Sequence, residues 1–319
     1  MTTQAFRPPW YLRNRHLQTL LGPLVTSVNQ QPDNWQRLSL PDGDELDIAW
    51  FNDNQAPTLI IFHGLEGSYR SHYIQRVIRH MTSLGWAVAV PHFRGCGRQD
   101  NLKSYSYHSG VSHDADFIIS SIKTSRSNEK LVAMGFSLGG NVLLKWLGEN
   151  PKQSFIDKAM AVSVPLKLDV CANEIQKGFS RVYQRHLISS LLVKTKMKMS
   201  KDLPGPRLPL DIPLNKVKNF WQFDEWVTAP LNGFDSAQDY YDKVSSIKFV
   251  SNIETPTLLL QAIDDPFMNA SVLPADDEVG GGLTIEATDF GGHVGFLDHL
   301  SLADRPCYLA NRVAAHFAD

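Results

Sequence analysis

The sequence has few cysteines and no long apolar run. Its three cysteines, Cys96, Cys171 and Cys307, form no C-x-x-C pair. This spacing argues against a disulfide scaffold and against a structural zinc site, so we expect no bound metal. No run of about 18 apolar residues occurs, and residues 1–10 lack the apolar core of a signal peptide. These absences predict a cytoplasmic protein and leave peripheral membrane contact open.

An excess of charge of one sign is also missing. Lys and Arg number 31 and Asp and Glu number 33, which gives a formal net charge of −2, and the two signs are mixed along the chain. The charge therefore excludes the basic footprint of a nucleic-acid-binding protein. Hydrophobic residues make up 43% of the 319 residues, enough to bury a full core. Nothing in the composition indicates the oligomeric state.

Strand-like and helix-like patterns alternate through most of the chain. Apolar or alternating runs predict strands at 35–40, 45–51, 58–62, 86–91, from 131 to the turn at 135–139, and at 158–164, 257–262 and 283–288. Helical spacing fills several intervals, as at 71–84 and 112–125, and residues 303–318 fit a closing helix. The alternation predicts an α/β protein with a mostly parallel, twisted sheet and helices on both faces.

Residues 165–253 interrupt this alternation. They show no buried strand pattern, whereas helical patterns recur, for example at 175–193 and 235–245. An insertion here would overhang the carboxyl edge of the sheet, so we predict a helical cap. The predicted core is then 1–164 and 254–319, in which 1–34 form an irregular arm with about one helical turn.

Two stretches of the predicted cap have unusual composition. Aromatic residues crowd 220–226, and we assign them to the core of the cap or to the wall of an acyl pocket, where Trp221 and Trp226 would influence acyl-length preference. Lysines alternate with other residues, among them two methionines, over 194–201. We interpret this stretch as a solvated helix face, with contact to an anionic lipid surface as the alternative.

A G-x-S-x-G pattern at residues 135–139 lies between a strand-like run and a helix-like stretch. A serine on such a sharp turn needs glycine two residues to either side, because a Cβ there would clash with crowded backbone. The pattern predicts that Ser137 is a nucleophile exposed above the sheet. It also leaves the Leu138 amide at a helix N-terminus, where it can donate to an oxyanion.

A nucleophilic serine of this type requires an acid and a histidine later in the chain, each after a buried strand. Asp264 and Asp265 follow the run 257–262, and His293 lies among glycines after the run 283–288. Asp265 lies three residues after Ala262, the last residue of the predicted strand, and this spacing favours it as the acid, with Asp264 as the alternative. The loop after the strand 58–62, His63-Gly64-Leu65, would supply a second oxyanion donor from the Leu65 amide.

These motifs together resemble the YheT-type branch of the α/β-hydrolases, which is related to ABHD-type lipid hydrolases and to yeast ethyl-ester acyltransferase/esterases. The resemblance rests on residues 63–67, 135–141, 264–267 and 291–296, and further matches extend it over nearly the whole chain, at 14–19, 107–110, 223–234 and 239–241. It implies an α/β-hydrolase fold and carboxylic-ester hydrolase activity on small acyl esters, with no metal or organic cofactor.

Other functions are compatible with the same residues. A thioesterase or an acyltransferase would use the same serine, histidine and acid, and an H-x-x-x-x-D pattern from His293 to Asp298 weakly favours transfer to an alcohol. A hydrolase fold that only binds ligand is a further alternative, but it would require the loss of one of these three residues.

Overall fold

The computed structural model describes residues 6–26, 29–300 and 306–318, which contain one eight-stranded sheet. Its strands are β1 (Asn34–Ser39), β2 (Glu45–Phe51), β3 (Thr58–Phe62), β4 (Ala87–Pro91), β5 (Leu131–Phe136), β6 (Lys158–Val162), β7 (Thr257–Ala262) and β8 (Leu283–Thr288). Their order across the sheet is β1-β2-β4-β3-β5-β6-β7-β8. The first two pairings are antiparallel and the others are parallel.

Helices cover both faces and the carboxyl edge of this sheet. They are α1 (Arg15–Val25), α2 (His72–Ser83), α3 (Ser112–Ser125), α4 (Leu138–Glu149), α5 (Leu168–Glu174), α6 (Ser180–Met199), α7 (Phe220–Phe223), α8 (Ala229–Asn232), α9 (Ala237–Val244) and α10 (Tyr308–Ala318). A π-helical turn, Asp224–Thr228, joins α7 to α8. No helix of the described ranges is long and apolar enough to cross a membrane.

The continuous apolar strands are explained by burial on both faces. In β3, Leu59 and Ile61 belong to the apolar cluster on one side of the sheet, and Ile60 and Phe62 to the cluster on the other side. Such a strand has no polar face, as expected for a parallel sheet covered by helices on both sides. All the parallel strands end at the same edge, which gathers the loops after β3, β5, β7 and β8.

The helical segment, residues 165–253, contains α5 to α9 and contributes none of the strands described above. It has two small apolar clusters of its own, one around Tyr240 and Tyr241 and the other around Ile188 and Phe223. The tryptophans of the aromatic stretch belong to these clusters: Trp221 packs on Tyr241 and Trp226 joins the second.

Part of the basic stretch 194–201 is not a solvated face. Lys198 is buried and donates to the Lys103 and Tyr105 carbonyl oxygens at 2.9 and 2.7 Å, and Lys194 pairs with Glu66. The other two lysines of this stretch, Lys196 and Lys201, are exposed. The expectation was wrong for two of the four lysines, because a loop and a carboxylate distant in sequence offer them oxygen partners.

The N-terminal arm is more regular than expected. Helix α1 has eleven residues, and its first turn is capped by the Asn14 side chain, which accepts from the amides of His16 and Leu17. Gly22 and Pro23, which weaken the helical pattern in the sequence, both lie inside it. Gly22 is needed because a Cβ there would lie 2.3 Å from the His72 ring of α2. The expected closing helix begins later, at Tyr308, and residues 303–305 lie outside the described ranges.

Candidate active site

Ser137 lies on the turn between β5 and α4 with φ 52° and ψ −120°, a conformation rarely adopted by residues with a side chain. The flanking glycines allow this turn. A Cβ on Gly135 would lie 2.4 Å from the Gly139 carbonyl oxygen, and a Cβ on Gly139 would lie 2.4 Å from that of Phe62. The turn therefore presents the Ser137 hydroxyl at the carboxyl edge of the sheet, as the spacing of the two glycines predicts.

His293 connects this hydroxyl to a buried carboxylate. Its Nε2 lies 2.9 Å from Ser137 Oγ, and its Nδ1 lies 2.8 Å from Asp265 Oδ2. The other oxygen of Asp265 accepts from the Phe267 amide at 2.8 Å, and the Phe267 ring stacks on the imidazole at 4.0 Å. Asp265 and His293 are both buried, so water competes little for these hydrogen bonds. The arrangement can move a proton away from Ser137.

Asp264 lies in the same turn but does not contact the histidine ring. Its Oδ1 accepts from the Gly292 amide at 2.9 Å. Burial, together with the neighbouring Asp265 charge, raises the pKa of Asp264 to about 6. Of the two candidate acids, the structure thus brings Asp265 to the His293 ring. The Asp264 side chain instead holds the histidine loop by accepting from a backbone amide of that loop.

The loop after β3 approaches Ser137 closely. A Cβ on Gly64 would lie 3.2 Å from Ser137 Cβ, and Gly64 is held by its amide, which donates to Tyr73 Oη at 3.2 Å. Leu65 follows on this loop, and Leu138 is the first residue of α4. Both leucines line the same cavity as Ser137. The two residues predicted to donate to the oxyanion therefore lie at the same cavity as the predicted nucleophile.

Glu66, the next residue of this loop, was not recognised from the sequence. Its backbone has a φ of 56°, and its amide donates to Tyr107 Oη at 2.7 Å. Its carboxylate accepts from Tyr107 Oη at 3.0 Å, from Lys194 Nζ at 2.9 Å and from the Ser190 hydroxyl. Lys194 and Ser190 belong to α6, so this carboxylate ties the predicted oxyanion loop to the helical segment.

Helix α1 holds the histidine loop from the other side. Buried Gln18 donates to the Leu297 carbonyl oxygen at 3.0 Å and accepts from the Leu297 amide at 2.7 Å. The His293 amide donates to Thr19 Oγ1 at 3.0 Å. A Cβ on Gly295 would lie 2.3 Å from the Gln18 carbonyl oxygen. The arm therefore supports the site, a role that its sequence did not indicate.

Two cavities reach Ser137. The main cavity, about 140 Å³, lies between the sheet edge and the helical segment and is mostly apolar. Its wall includes Leu168, Ile175, Leu187, Leu191, Phe220, Phe223 and Met268. Among the described residues, Phe220 and Phe223 of the aromatic stretch belong to this wall, whereas Trp221 and Trp226 do not. The two tryptophans pack instead with the apolar clusters of the helical segment, so of the two assignments for this stretch the core applies to them.

The second cavity, which we call the side passage, runs between α1, α2 and α6 and has a volume of about 190 Å³. Its wall includes Ser137 and His293, together with Thr19, Tyr183, His186 and Leu187.

A buried carboxylate also lines the main cavity. Asp224, in the π-helical turn, accepts from Thr228 Oγ1 and from Tyr241 Oη, both at 2.6 Å. Burial raises the pKa of this carboxyl group to about 6.

Comparisons with known proteins agree with this geometry. Residues 57–300 match the model of a family described as the alpha/beta hydrolase fold. YheT of Escherichia coli (strain K12) is 38% identical over 93% of this chain and 88% of its own length. The chain belongs to the YheT-type branch of the α/β-hydrolase family.

More distant α/β-hydrolases carry names of lipases. Saccharomyces cerevisiae monoacylglycerol lipase is 31% identical over 80% of this chain, a match that spans 57% of the yeast protein. Human phospholipase ABHD3 is 24% identical over 93% of this chain and 75% of its own length. The solved Pyrococcus furiosus esterase Pf2001 superposes with a TM-score of 0.58 at 16% identity, covering 92% of this chain and 97% of its own, which shows the shared fold. The chain is thus an α/β-hydrolase of the esterase and lipase type.

One expected motif of this α/β-hydrolase has a different explanation. The H-x-x-x-x-D pattern ends at Asp298, whose Oδ1 lies 2.6 Å from Nδ1 of its neighbour His299. His293 is engaged by Ser137 and Asp265. Transfer to an alcohol therefore stays a prediction, since an acyltransferase would use the same contacts of His293.

Proposed function

We propose that the protein is a serine-dependent carboxylic-ester hydrolase that acts on acyl esters. The observation that carries this proposal is the continuous line of hydrogen bonds from Ser137 Oγ through His293 to Asp265, at 2.9 and 2.8 Å. A buried serine–histidine–carboxylate line is the arrangement that activates a hydroxyl for acyl transfer. The names of the lipase relatives support a lipid-like acyl ester as the substrate.

The first half of the proposed reaction forms an acyl-enzyme. His293 Nε2 takes the Ser137 proton as Oγ attacks the ester carbonyl carbon, and the carbonyl oxygen becomes an oxyanion. The Leu65 and Leu138 amides donate to that oxyanion. When the tetrahedral intermediate collapses, the carbon–oxygen bond to the alcohol breaks and His293 returns its proton to the leaving alcohol.

The second half releases the acid. Water enters, His293 removes a proton from it, and the resulting hydroxide attacks the acyl carbon. Collapse breaks the bond to Ser137 Oγ, which recovers a proton from His293. Asp265 holds the imidazole with Nδ1–H directed at the carboxylate and stabilises the charged ring in both halves.

The main cavity is proposed to hold the acyl chain. Its wall is built largely from leucine, isoleucine, phenylalanine and methionine side chains next to Ser137. An apolar wall discriminates chain lengths by about 1–3 kcal/mol per methylene. We therefore expect kcat/KM to rise stepwise with acyl length until the cavity is filled and to fall beyond that length.

A fluorophosphonate probe combined with a series of p-nitrophenyl esters tests the proposal. Mass spectrometry should place the adduct on Ser137, and Ser137→Ala should abolish both labelling and turnover. His293→Ala should lower turnover by several orders of magnitude, and the double variant should lose little more. An adduct on another serine, or turnover that persists in Ser137→Ala, would remove the proposed nucleophile. Added ethanol and matched thioesters separate hydrolysis from transferase and thioesterase activity.

A further inference from the structure

Helix α1 exposes an apolar face to solvent. Leu17, Leu20 and Leu24 are spaced by three and four residues, so they lie on one side of the helix, and they are 41%, 42% and 74% exposed. Just before the helix, Trp10 and Tyr11 are 79% and 46% exposed. Single exposed leucines are ordinary, but five large exposed apolar side chains within 15 residues are a concentration of the kind that marks an interaction surface.

The start of α6 extends this patch. Phe179 and Val182 are 49% and 55% exposed. They lie beside α1, because the His16 ring contacts the Phe179 ring at 4.8 Å and His16 Nδ1 lies 3.1 Å from Tyr183 Oη. We call this combined surface of α1, its preceding turn and the start of α6 the apolar rim.

The apolar rim lies on two of the helices that form the wall of the side passage. Thr19 on α1 and Tyr183 and Leu187 on α6 face the side passage, whereas Leu20 and Val182 on the same helices face solvent. The two helices therefore have an inner side that leads to the proposed nucleophile and an outer side that is apolar.

The two chain segments that form the rim carry charges of one sign, and Glu174, the acid directly before the second segment, interacts with Arg15 and pairs with Lys177. Residues 6–32 and 175–201 contain no aspartate or glutamate. The exposed arginines of this region are Arg7, Arg13, Arg15, Arg181 and Arg185. Exposed leucines bordered by arginine are the pattern of a helix that lies in the interface of an anionic bilayer, where the apolar side chains enter the acyl region and the cations meet phosphate.

We propose that the apolar rim docks the protein on the surface of an anionic lipid bilayer. Docking in this orientation places the mouth of the side passage against the membrane, so that an ester can move from the bilayer toward Ser137 without crossing water. The role of the passage rests on the proposed esterase function, whereas the docking itself does not.

Vesicle flotation tests the docking with two kinds of vesicle. The protein should float with vesicles of equimolar phosphatidylcholine and phosphatidylglycerol, and less with phosphatidylcholine alone. The double variant Leu20→Glu/Leu24→Glu should bind the anionic vesicles about tenfold more weakly or worse. The matched control is Leu84→Glu, because Leu84 is 53% exposed at the C-terminal end of α2, away from the carboxyl edge of the sheet.

Arg181→Gln/Arg185→Gln should weaken binding in low salt and have less effect in high salt, since the arginines act through screened charge. All variants should keep wild-type Ser137 labelling by a soluble fluorophosphonate and wild-type turnover of a short soluble ester. Turnover of an ester presented in anionic vesicles should fall only in the rim variants.

Three outcomes would overturn the docking proposal. The wild type could fail to float with anionic vesicles, or the rim variants could float as well as the Leu84→Glu control. Sedimentation velocity could instead show a wild-type dimer that the rim variants dissociate, which would make the rim a contact between copies of the chain. Flotation that survives while Ser137 resists labelling would contradict the esterase proposal alone.

Discussion

Ser137 combines a strained backbone conformation with the proposed role of nucleophile. A non-glycine residue at positive φ costs roughly 1–2 kcal/mol, and here the cost is borne because β5, α4 and the close backbone at Gly135 and Gly139 leave no other path. This backbone conformation directs the hydroxyl away from β5, and Ser137 Oγ lies 2.9 Å from His293 Nε2. The geometry for proton transfer is thus present before any substrate arrives.

The two neighbouring aspartates should differ sharply in their effect on turnover. Asp265→Asn removes the acceptor for His293 Nδ1–H and favours the wrong tautomer, so kcat should fall by about 10³- to 10⁴-fold. Asp264→Asn keeps an oxygen that can accept from the Gly292 amide. Its kcat should fall tenfold or less, because at most about one hydrogen bond is weakened. Steady-state kinetics of both variants, with thermal unfolding as the folding control, make the comparison. The reverse ranking would assign the acid to Asp264.

Among the elements, the contact between the β3 loop and α6 should control kcat. Glu66→Gln leaves Lys194 without its carboxylate and loosens the residue next to Leu65, so the proposed oxyanion donor would be held less firmly. Since small misplacements of catalytic groups are costly, kcat should fall by about 10- to 100-fold with little change in KM. The rate of fluorophosphonate labelling should fall in parallel.

The control for the Glu66 prediction is a lysine on α6, the helix that carries Lys194. Lys196→Gln, at an exposed position, should leave kcat unchanged. Lys194→Gln should reproduce the Glu66→Gln defect, and the double variant should lose little more than either alone, because both remove one interaction. A loss of thermal stability without any change in kcat would mean that the contact only holds the fold.

The wall of the main cavity gives a second prediction at this scale. Phe223→Ala removes a ring from the wall, so the optimum of the acyl-length series should move to longer esters. Trp226→Ala is the matched control: it removes a large ring from the same apolar cluster but not from the wall. Both variants should lose stability, by about 3–5 kcal/mol for a fully packed ring. Equal shifts of the optimum in both would show that packing of the helical segment sets chain length.

The buried carboxyl group of Asp224 should make stability depend on pH. Its pKa is about 6 in the folded protein and close to the ordinary 3.8 when unfolded, so the folded state holds the proton to higher pH. The contribution of this group to the free energy of unfolding is therefore full below about pH 4 and is lost as the pH rises through 6. The loss amounts to about 3 kcal/mol. Urea unfolding of the wild type and Asp224→Asn from pH 4.5 to 7.5 measures this. A difference between the two proteins that is constant with pH would contradict it.

For the whole molecule, the features predictable from sequence were those set by short-range pattern. Apolar runs located the strands, and two glycines around Ser137 predicted the turn, because each depends on residues within a few positions. Contacts between distant segments were not predictable. Asp264 and Asp265 are neighbours, and only the folded turn after β7 decides which carboxylate reaches His293. Lys198 is buried because its ammonium group donates to carbonyl oxygens about a hundred residues away in sequence.

The contact between α1 and the histidine loop joins residues that are made at very different times during synthesis of the chain. Leu297 follows its partner Gln18 by 279 residues, so a ribosome produces it roughly 14 to 56 s later, at about 5–20 residues per second. Ser137 has been in the growing chain for much of that interval, without His293 and without Asp265. On the proposed mechanism, a nascent chain that ends before Asp265 and His293 would lack the groups that activate Ser137, so its hydroxyl would become reactive only after both residues have been made.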